Sequence, residues 1–152
     1  MNDRQTILMV DDSDNDLDLM RIAFAKAGFN NPLQAVHNGE EAIAYLKGEG
    51  GYCDRKQHPL PAVILLDLNM PRKSGFDVLA WIRAEPGLQR ISIIILTASL
   101  RMEDVERTHG LGANAFLVKP ATLEQLTLTI RRLKDWLEVN HFPPHNEVVN
   151  RH

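Results

Sequence analysis

Residues 62 to 71 read AVILLDLNMP. Five apolar residues without polar alternation stop at Asp67, and Pro71 follows shortly after. A run this short and unbroken suits a strand buried on both faces, as in a parallel sheet covered by helices. The charge at its end matters as much as the run itself. In open α/β sheets, ligands bind beyond the carboxyl ends of the strands, near the point where strand order reverses.

Working outward, four more runs have the same character: Ile7–Val10, Leu33–Val36, Ile91–Leu96 and Ala115–Val118, with Ala62–Leu66 as the third of five. Helical spacing fills the gaps. Leu17, Met20, Phe24 and Ala27 recur at intervals of three and four, with Gly28 as a stop. Shorter helices are predicted from Gly39 to Leu46, Phe76 to Arg83 and Glu103 to His109. Leu123, Leu126, Ile130, Leu133 and Leu137 mark a long final helix. Five repeats of strand then helix predict an α/β fold, a doubly wound five-stranded parallel sheet with helices on both faces.

Two stretches break the rhythm. Residues 48 to 61, GEGGYCDRKQHPLP, are rich in Gly, Pro and polar residues and predict a long surface loop. Residues 140 to 152, NHFPPHNEVVNRH, follow the last helix, which Pro143 and Pro144 would stop. The expected organisation is one domain over residues 1–139, with an extended loop at 48–61, and a C-terminal tail over 140–152.

The chain has 152 residues and a formal net charge of −3, which supplies no drive toward nucleic acid or an anionic membrane. No apolar run approaches the length of a membrane span, and MNDRQT at the start lacks a signal core, so a cytoplasmic protein is expected. One cysteine, Cys53, excludes an internal disulfide and a multi-cysteine metal cage. The six histidines show no metal-ligand spacing.

The informative residues are those at the strand ends. Asp11 and Asp12 follow the first run, Asp67 and Asn69 the third, Thr97, Ala98 and Ser99 the fourth, and Lys119 and Pro120 the fifth. Taken singly, each has an ordinary role. Asp11, Asp12, Ser13 or Asp14 could cap a helix, Asp67 could serve a turn, and Lys119 could be a solvated cation. The predicted topology instead brings three carboxylates, a hydroxyl and an ammonium to one rim. Crowded carboxylates repel unless a cation joins them, and oxygen ligands favour a hard ion such as Mg²⁺. Such an ion leaves room for phosphate oxygens, which Thr97 and Lys119 could hydrogen-bond and neutralise. A carboxylate can itself become an aspartyl-phosphate. The residue set fits metal-assisted phosphoryl transfer to an aspartate. Asp14, Asp16 and Asp18 are expected only to favour the positive end of the first helix.

VDDSD after the first strand, LLDLNMPRKSGFDVL around Asp67, ILTAS around Thr97 and FLVKPA around Lys119 resemble the receiver domains of two-component response regulators, the CheY-like family. The motifs lie in family order over roughly residues 5 to 138. The resemblance implies a flavodoxin-like sheet of strand order 2-1-3-4-5. It implies that Asp67 is the phosphoacceptor for a sensor histidine kinase, and that the protein itself assists phosphotransfer and autodephosphorylation without being an enzyme in the usual sense. Asp11, Asp12, Asp67 and the backbone carbonyl of Asn69 would hold Mg²⁺ (or Mn²⁺). Thr97, the Ala98 N–H and Lys119 would bind the phosphoryl group, with a cis Lys119–Pro120 bond aiming the lysine. Asn69 and Ser99 would steer water during hydrolysis. Thr97 and Phe116 would form the switch, with phenylalanine standing where tyrosine is common.

No effector domain is expected, and output is expected through the fourth helix, fifth strand and fifth helix. Leu128, Trp136 and Val139 fall outside the core stripe of the last helix. With Phe142 in the tail, they are expected to form a partner or homodimer surface. The loop at 48–61 and the ending DWLEVNHFP resemble the small response regulators that pair with phytochrome-type sensor kinases. No direct nucleic-acid or membrane partner is expected.

Three rivals can be weighed on residues. An EF-hand starting at Asp12 would need glycine where Leu17 stands and glutamate where Ala23 stands. A haloacid-dehalogenase-like phosphatase would want Asp-x-Asp-x-Thr/Val and late acidic residues, where this chain has LTAS and VKPA. A flavodoxin-like binding module would place a hydroxyl-rich phosphate loop where two aspartates stand.

Overall fold

A computed structural model describes residues 1–98 and 100–139. Ser99, Phe142 and the rest of the tail lie outside the described residues. Five strands, β1 (Ile7–Val10), β2 (Leu33–Val36), β3 (Val63–Leu66), β4 (Ser92–Thr97) and β5 (Ala115–Val118), form one sheet in the order β2-β1-β3-β4-β5. Every pairing is parallel, with Val10 beside Val36 and Leu66, and Thr97 beside Val118. The helices are α1 (Asp14–Lys26), α2 (Gly39–Lys47), α3 (Gly75–Ala84), α4 (Met102–Gly110) and α5 (Leu123–Val139).

The period of two along each strand splits the core between the faces. Leu8, Val10, Ile64, Leu66, Ile93 and Ile95 point to one side and pack on Ala42, Tyr45 and Leu46 of α2 and Val78, Leu79 and Ile82 of α3. Ile7, Met9, Val63, Leu65, Ile94 and Leu96 point to the other, against Leu17, Met20 and Phe24 of α1 and Leu126, Ile130 and Leu133 of α5. The central strands β1, β3 and β4 are buried throughout. The edge strands depart from the expected burial on both faces. Leu33, Gln34 and Ala35 of β2 are half-buried, and so are Ala115, Phe116 and Leu117 of β5, with Val118 exposed. An edge strand has a neighbour on one side only, and α4 buries just Thr108, so β5 is covered thinly.

The segment at 48–61 is more ordered than a surface loop. A 3-10 turn at Gly50–Tyr52 opens it, and Tyr52 and Leu60 pack on the α2/α3 side of the core. The Tyr45 hydroxyl donates to the Pro59 carbonyl (2.8 Å). Arg55 reaches back to the carbonyls of Tyr45 (2.8 Å), Leu46 (2.7 Å) and His58 (3.1 Å). It thereby satisfies the orphan carbonyls at the C-terminus of α2 with a cation, which also suits the helix dipole. Gly48 ends α2 at φ +72°, and a Cβ there would lie 3.0 Å from the Arg55 guanidinium. Glycine is required twice over at this turn.

Candidate functional site

Four strand ends build the site. The β1 chain leaves the sheet at Asp11, whose Oδ1 accepts the Ser13 N–H (2.9 Å). Ser13, one of four possible caps in the sequence, is the N-cap of α1, its hydroxyl accepting from the Asp16 N–H (3.2 Å). The chain after β3 delivers Asp67, buried and held on Oδ1 by the Asn69 N–H (3.2 Å) and the Thr97 hydroxyl (3.1 Å). Thr97 is the last residue of β4 rather than the first after it, because it still pairs with Val118 of β5. The Asn69 side-chain amide donates in turn to Thr97 Oγ1 (3.4 Å).

Gly75, the first residue of α3, permits this crowding. A Cβ there would collide with the Asp67 carbonyl and Leu68 Cα. The Ser74–Asp77 capping box then starts the helix. The connection also contains Arg72 at φ +67°, a left-handed position that a non-glycine residue adopts at a cost.

Lys119, just beyond β5, closes the site. Its backbone N–H donates to the Thr97 carbonyl (2.7 Å), and its Nζ donates to Asp11 Oδ2 (2.6 Å) and Asp16 Oδ2 (3.0 Å). Asp67 Oδ2 is 3.8 Å away. The expected cis Lys119–Pro120 bond is absent: no cis peptide occurs among the described residues. The β4 pairing and the carboxylates aim the lysine, and the bond keeps the trans form that an X–Pro peptide prefers when nothing demands otherwise.

Carboxylate oxygens of Asp11, Asp12 and Asp67 lie within 4.8 Å of one another, with Asp12 exposed and the other two buried. This all-oxygen set fits a hard divalent cation. The electrostatics agree. Burial raises the Asp67 pKa and the Asp11 charge adds to it, against the Asn69 N–H, Lys119 and the Thr97 hydroxyl, which lower it. Burial works against the Lys119 ammonium, yet its hydrogen bonds to Asp11 and Asp16 and the charges of Asp11 and Asp67 raise its pKa overall. Negative charge is in excess here, and a second cation would relieve it.

Ala98 is exposed after β4 and, with Lys119 and Asp16, lines a cavity of about 320 Å³ between α1 and the β5–α5 connection. Phe116 is half-buried and packs toward the α2/α3 side of the core. On the same side, the Arg107 guanidinium of α4 stacks 3.9 Å from the centre of the Phe76 ring. Leu128, Trp136 and Val139 are exposed as expected, at 45%, 37% and 76%. Trp136 joins Leu117, Val118 and Arg132 around an open groove of about 420 Å³ between β5 and α5. No described helix is long and apolar enough to cross a membrane.

The structure thus brings Asp11, Asp12, Asp67, Asn69, Thr97 and Lys119 together. Outside this cluster it leaves Phe116, on the α2/α3 side of β5, and Leu128, Trp136 and Val139, on the exposed side of α5. Sequence reasoning missed the contact of Asp16 with Lys119 and the steric demand on Gly75. Only the small residue at Gly75, inside the motif around Asp67, hinted at the second.

Comparison with known proteins gives a consistent result. The response regulator receiver domain family matches residues 7–131. Response regulator Rcp1 of Synechocystis is 34% identical over 143 residues, covering 93% of this chain and 95% of that protein. The phosphorylated cyanobacterial phytochrome response regulator RcpA superposes with a TM-score of 0.84 at 34% identity, over 93% of this chain and 99% of that one. The Mn²⁺-bound form of Rcp1 gives 0.81 at 34% identity, over 92% and 99%. The phosphatase and flavodoxin-like rivals lack their residues at these strand ends. The chain belongs to the response regulator receiver domain family, with the CheY-like fold and a place in two-component phosphorelay signalling.

Proposed function

We propose that this protein accepts a phosphoryl group on Asp67 from a phosphohistidine of a sensor histidine kinase and carries the signal through its own surface. The observation that carries the reading is the convergence of Asp67 with Asp11, Asp12, Thr97 and Lys119 at one rim. In the transfer, a carboxylate oxygen of Asp67 attacks phosphorus, the P–N bond breaks, and the histidine nitrogen leaves with the bond pair. Asp11, Asp12, Asp67 and the Asn69 carbonyl would hold Mg²⁺ or Mn²⁺, which would supply charge neutralisation at the phosphoryl oxygens. Lys119, the Thr97 hydroxyl and the Ala98 N–H bind those oxygens as charge redistributes. Hydrolysis reverses the state, with Asn69 and Ser99 steering water. The protein catalyses its own turnover in this sense only. It acts in the cytoplasm as one domain over residues 1–139, followed by a tail over 140–152.

Acetyl phosphate with Mg²⁺ tests the assignment. The wild type is expected to be labelled at Asp67 and Asp67→Asn is not; undiminished labelling of the variant would overturn the reading.

Movement of Thr97 toward the phosphoryl group opens space behind it for Phe116, and so relays the state to α4, β5 and α5. The relatives' association with phytochromes supports a phytochrome-type kinase as the donor. At 100° per residue, Leu128, Arg132, Trp136 and Val139 fall within an arc of about 80° on α5. That stripe, apolar apart from Arg132, supports a homodimer through the last helix and the tail segment with Phe142, rather than a nucleic-acid or membrane contact. Light scattering at tens of micromolar should give a dimer mass that Trp136→Glu lowers; a wild-type monomer would sink the idea.

A further inference from the structure

Asp16 has no part in the reading so far beyond the charge it gives to the first turn of α1. Its Oδ2 nevertheless lies 3.0 Å from Lys119 Nζ, across 103 residues of chain. The lysine side chain is 10% exposed and has Asp11 at 2.6 Å and Asp67 at 3.8 Å as its other carboxylates. The ammonium donates hydrogen bonds to Asp11 and Asp16, while Asp67 attracts it only as an ion pair. The three are not equivalent. Asp11 and Asp67 belong to the group able to hold a divalent cation, whereas Asp16 does not. A cation on those two oxygens repels the ammonium from them, and Asp16 is the acceptor that remains. Asp16 is also the most accessible of the three, its side chain 38% exposed at the cavity beside Ala98 and Leu126. Water can replace the lysine there, so the tie can break at modest cost.

We propose that Asp16 is a positioning residue for Lys119. It keeps the ammonium at the rim while the site awaits a phosphoryl group, and it surrenders the lysine when one arrives. The inference rests on Asp67 being the acceptor. Asp16 sits in α1 and Lys119 in the β5–α5 connection, so the surrender also removes this one polar tie between them on phosphorylation.

Removing the competing acceptor should leave Lys119 freer for phosphoryl oxygens. Beryllium trifluoride at saturating Mg²⁺, a phosphoryl mimic that binds reversibly where the acyl phosphate would form, gives the readout by calorimetry. Asp16→Asn is expected to bind the mimic about fivefold more tightly than Asp18→Asn, which removes the same charge from the same helix. Asp16→Glu should return to the wild-type affinity. In a Lys119→Met background, Asp16→Asn should change nothing beyond twofold. Equal affinities for the Asp16→Asn and Asp18→Asn proteins overturn the proposal. So does a shift that persists without Lys119, since it would then be a general field effect. A wild type that neither binds the mimic nor is labelled at Asp67 removes the parent reading, and this proposal with it. Labelling of Asp67 with no effect at Asp16 removes this proposal alone.

Discussion

Arg55 and Lys119 are both long cations drawn into the fold, but different acceptors hold them. Arg55 ties residues 48–61 to the end of α2 through the carbonyls of Tyr45, Leu46 and His58. Those acceptors are neutral, covalently fixed and already shaped by the helix end, and Gly48 leaves them room. Lys119 faces Asp11, Asp16 and Asp67, three charges for its one. Nothing in the Arg55 arrangement gains from exchange. The Lys119 arrangement is left over-negative, and a divalent cation or a phosphoryl group rearranges it. Two inward-turned cations in one small domain, Arg55 half-buried and Lys119 with its side chain nearly covered, thus mark a clamp and an exchange point.

Substitution separates them most sharply at Lys119. Lys119→Met should slow labelling by acetyl phosphate about a hundredfold, the usual scale for losing one donor to developing charge. It should also destabilise the metal-free protein by about 3 kcal/mol, because three carboxylates are left facing one another. Added Mg²⁺ should restore more stability to this variant than it adds to the wild type, since Lys119 competes with the ion for Asp11. Melting curves with and without Mg²⁺ decide it; equal metal effects in both proteins would remove the competition.

Arg55→Ala should behave in the contrary way. Three carbonyls lose a charged donor, for a cost of about 2 kcal/mol in urea unfolding. The labelling rate at saturating Mg²⁺ should stay within about twofold of wild type, since a single exposed or half-buried change far from the chemistry alters stability first. Arg55→Ala labelling tenfold more slowly would mean that the clamp also shapes the rim.

The sequence disclosed these two regions unequally. The rim was legible because four of the five apolar runs lead straight into a carboxylate, a hydroxyl or an ammonium, and parallel topology forces those ends together. Asp67, Thr97 and Lys119 could be placed without any contact being known. The edge strands were misjudged because AFLV is as apolar as a central strand and only Gln34 marks LQAV, and composition does not say which strand has a single neighbour. The clamp was not legible: GEGGYCDRKQHPLP reads as polar loop, and the partners of Arg55 are backbone carbonyls, which leave no mark on side-chain identity. The same holds for Asp16, whose role as helix-start charge was visible locally while its contact with Lys119 spans most of the chain. The trans Lys119–Pro120 bond shows a further limit, since the expectation came from family resemblance and the local residues do not dictate it.

The smallest expected effect concerns Asp67 itself and tests whether the rim is over-negative at rest. Burial, helped by Asp11, holds its carboxyl above the ordinary 3.8. The folded state therefore binds this proton more readily than the unfolded chain. Ionised Asp67 costs stability at pH values above its folded pKa, and the cost vanishes as pH falls through the ordinary value, where both states are protonated. Asp67→Asn should accordingly stabilise the metal-free protein at pH 7 by about 1 kcal/mol, or about 3 °C in Tm for a chain of this size. The gain should shrink as the pH falls toward 3.8. Millimolar Mg²⁺ should reverse the order at pH 7, because the wild type keeps the third carboxylate that the ion uses. A metal-free Asp67→Asn protein that melts below wild type at pH 7 would mean that Lys119 and the hydrogen bonds from Asn69 and Thr97 already outweigh the crowding. The contrast with Arg55 would then reduce to two structural cations, differing only in the charge of their partners.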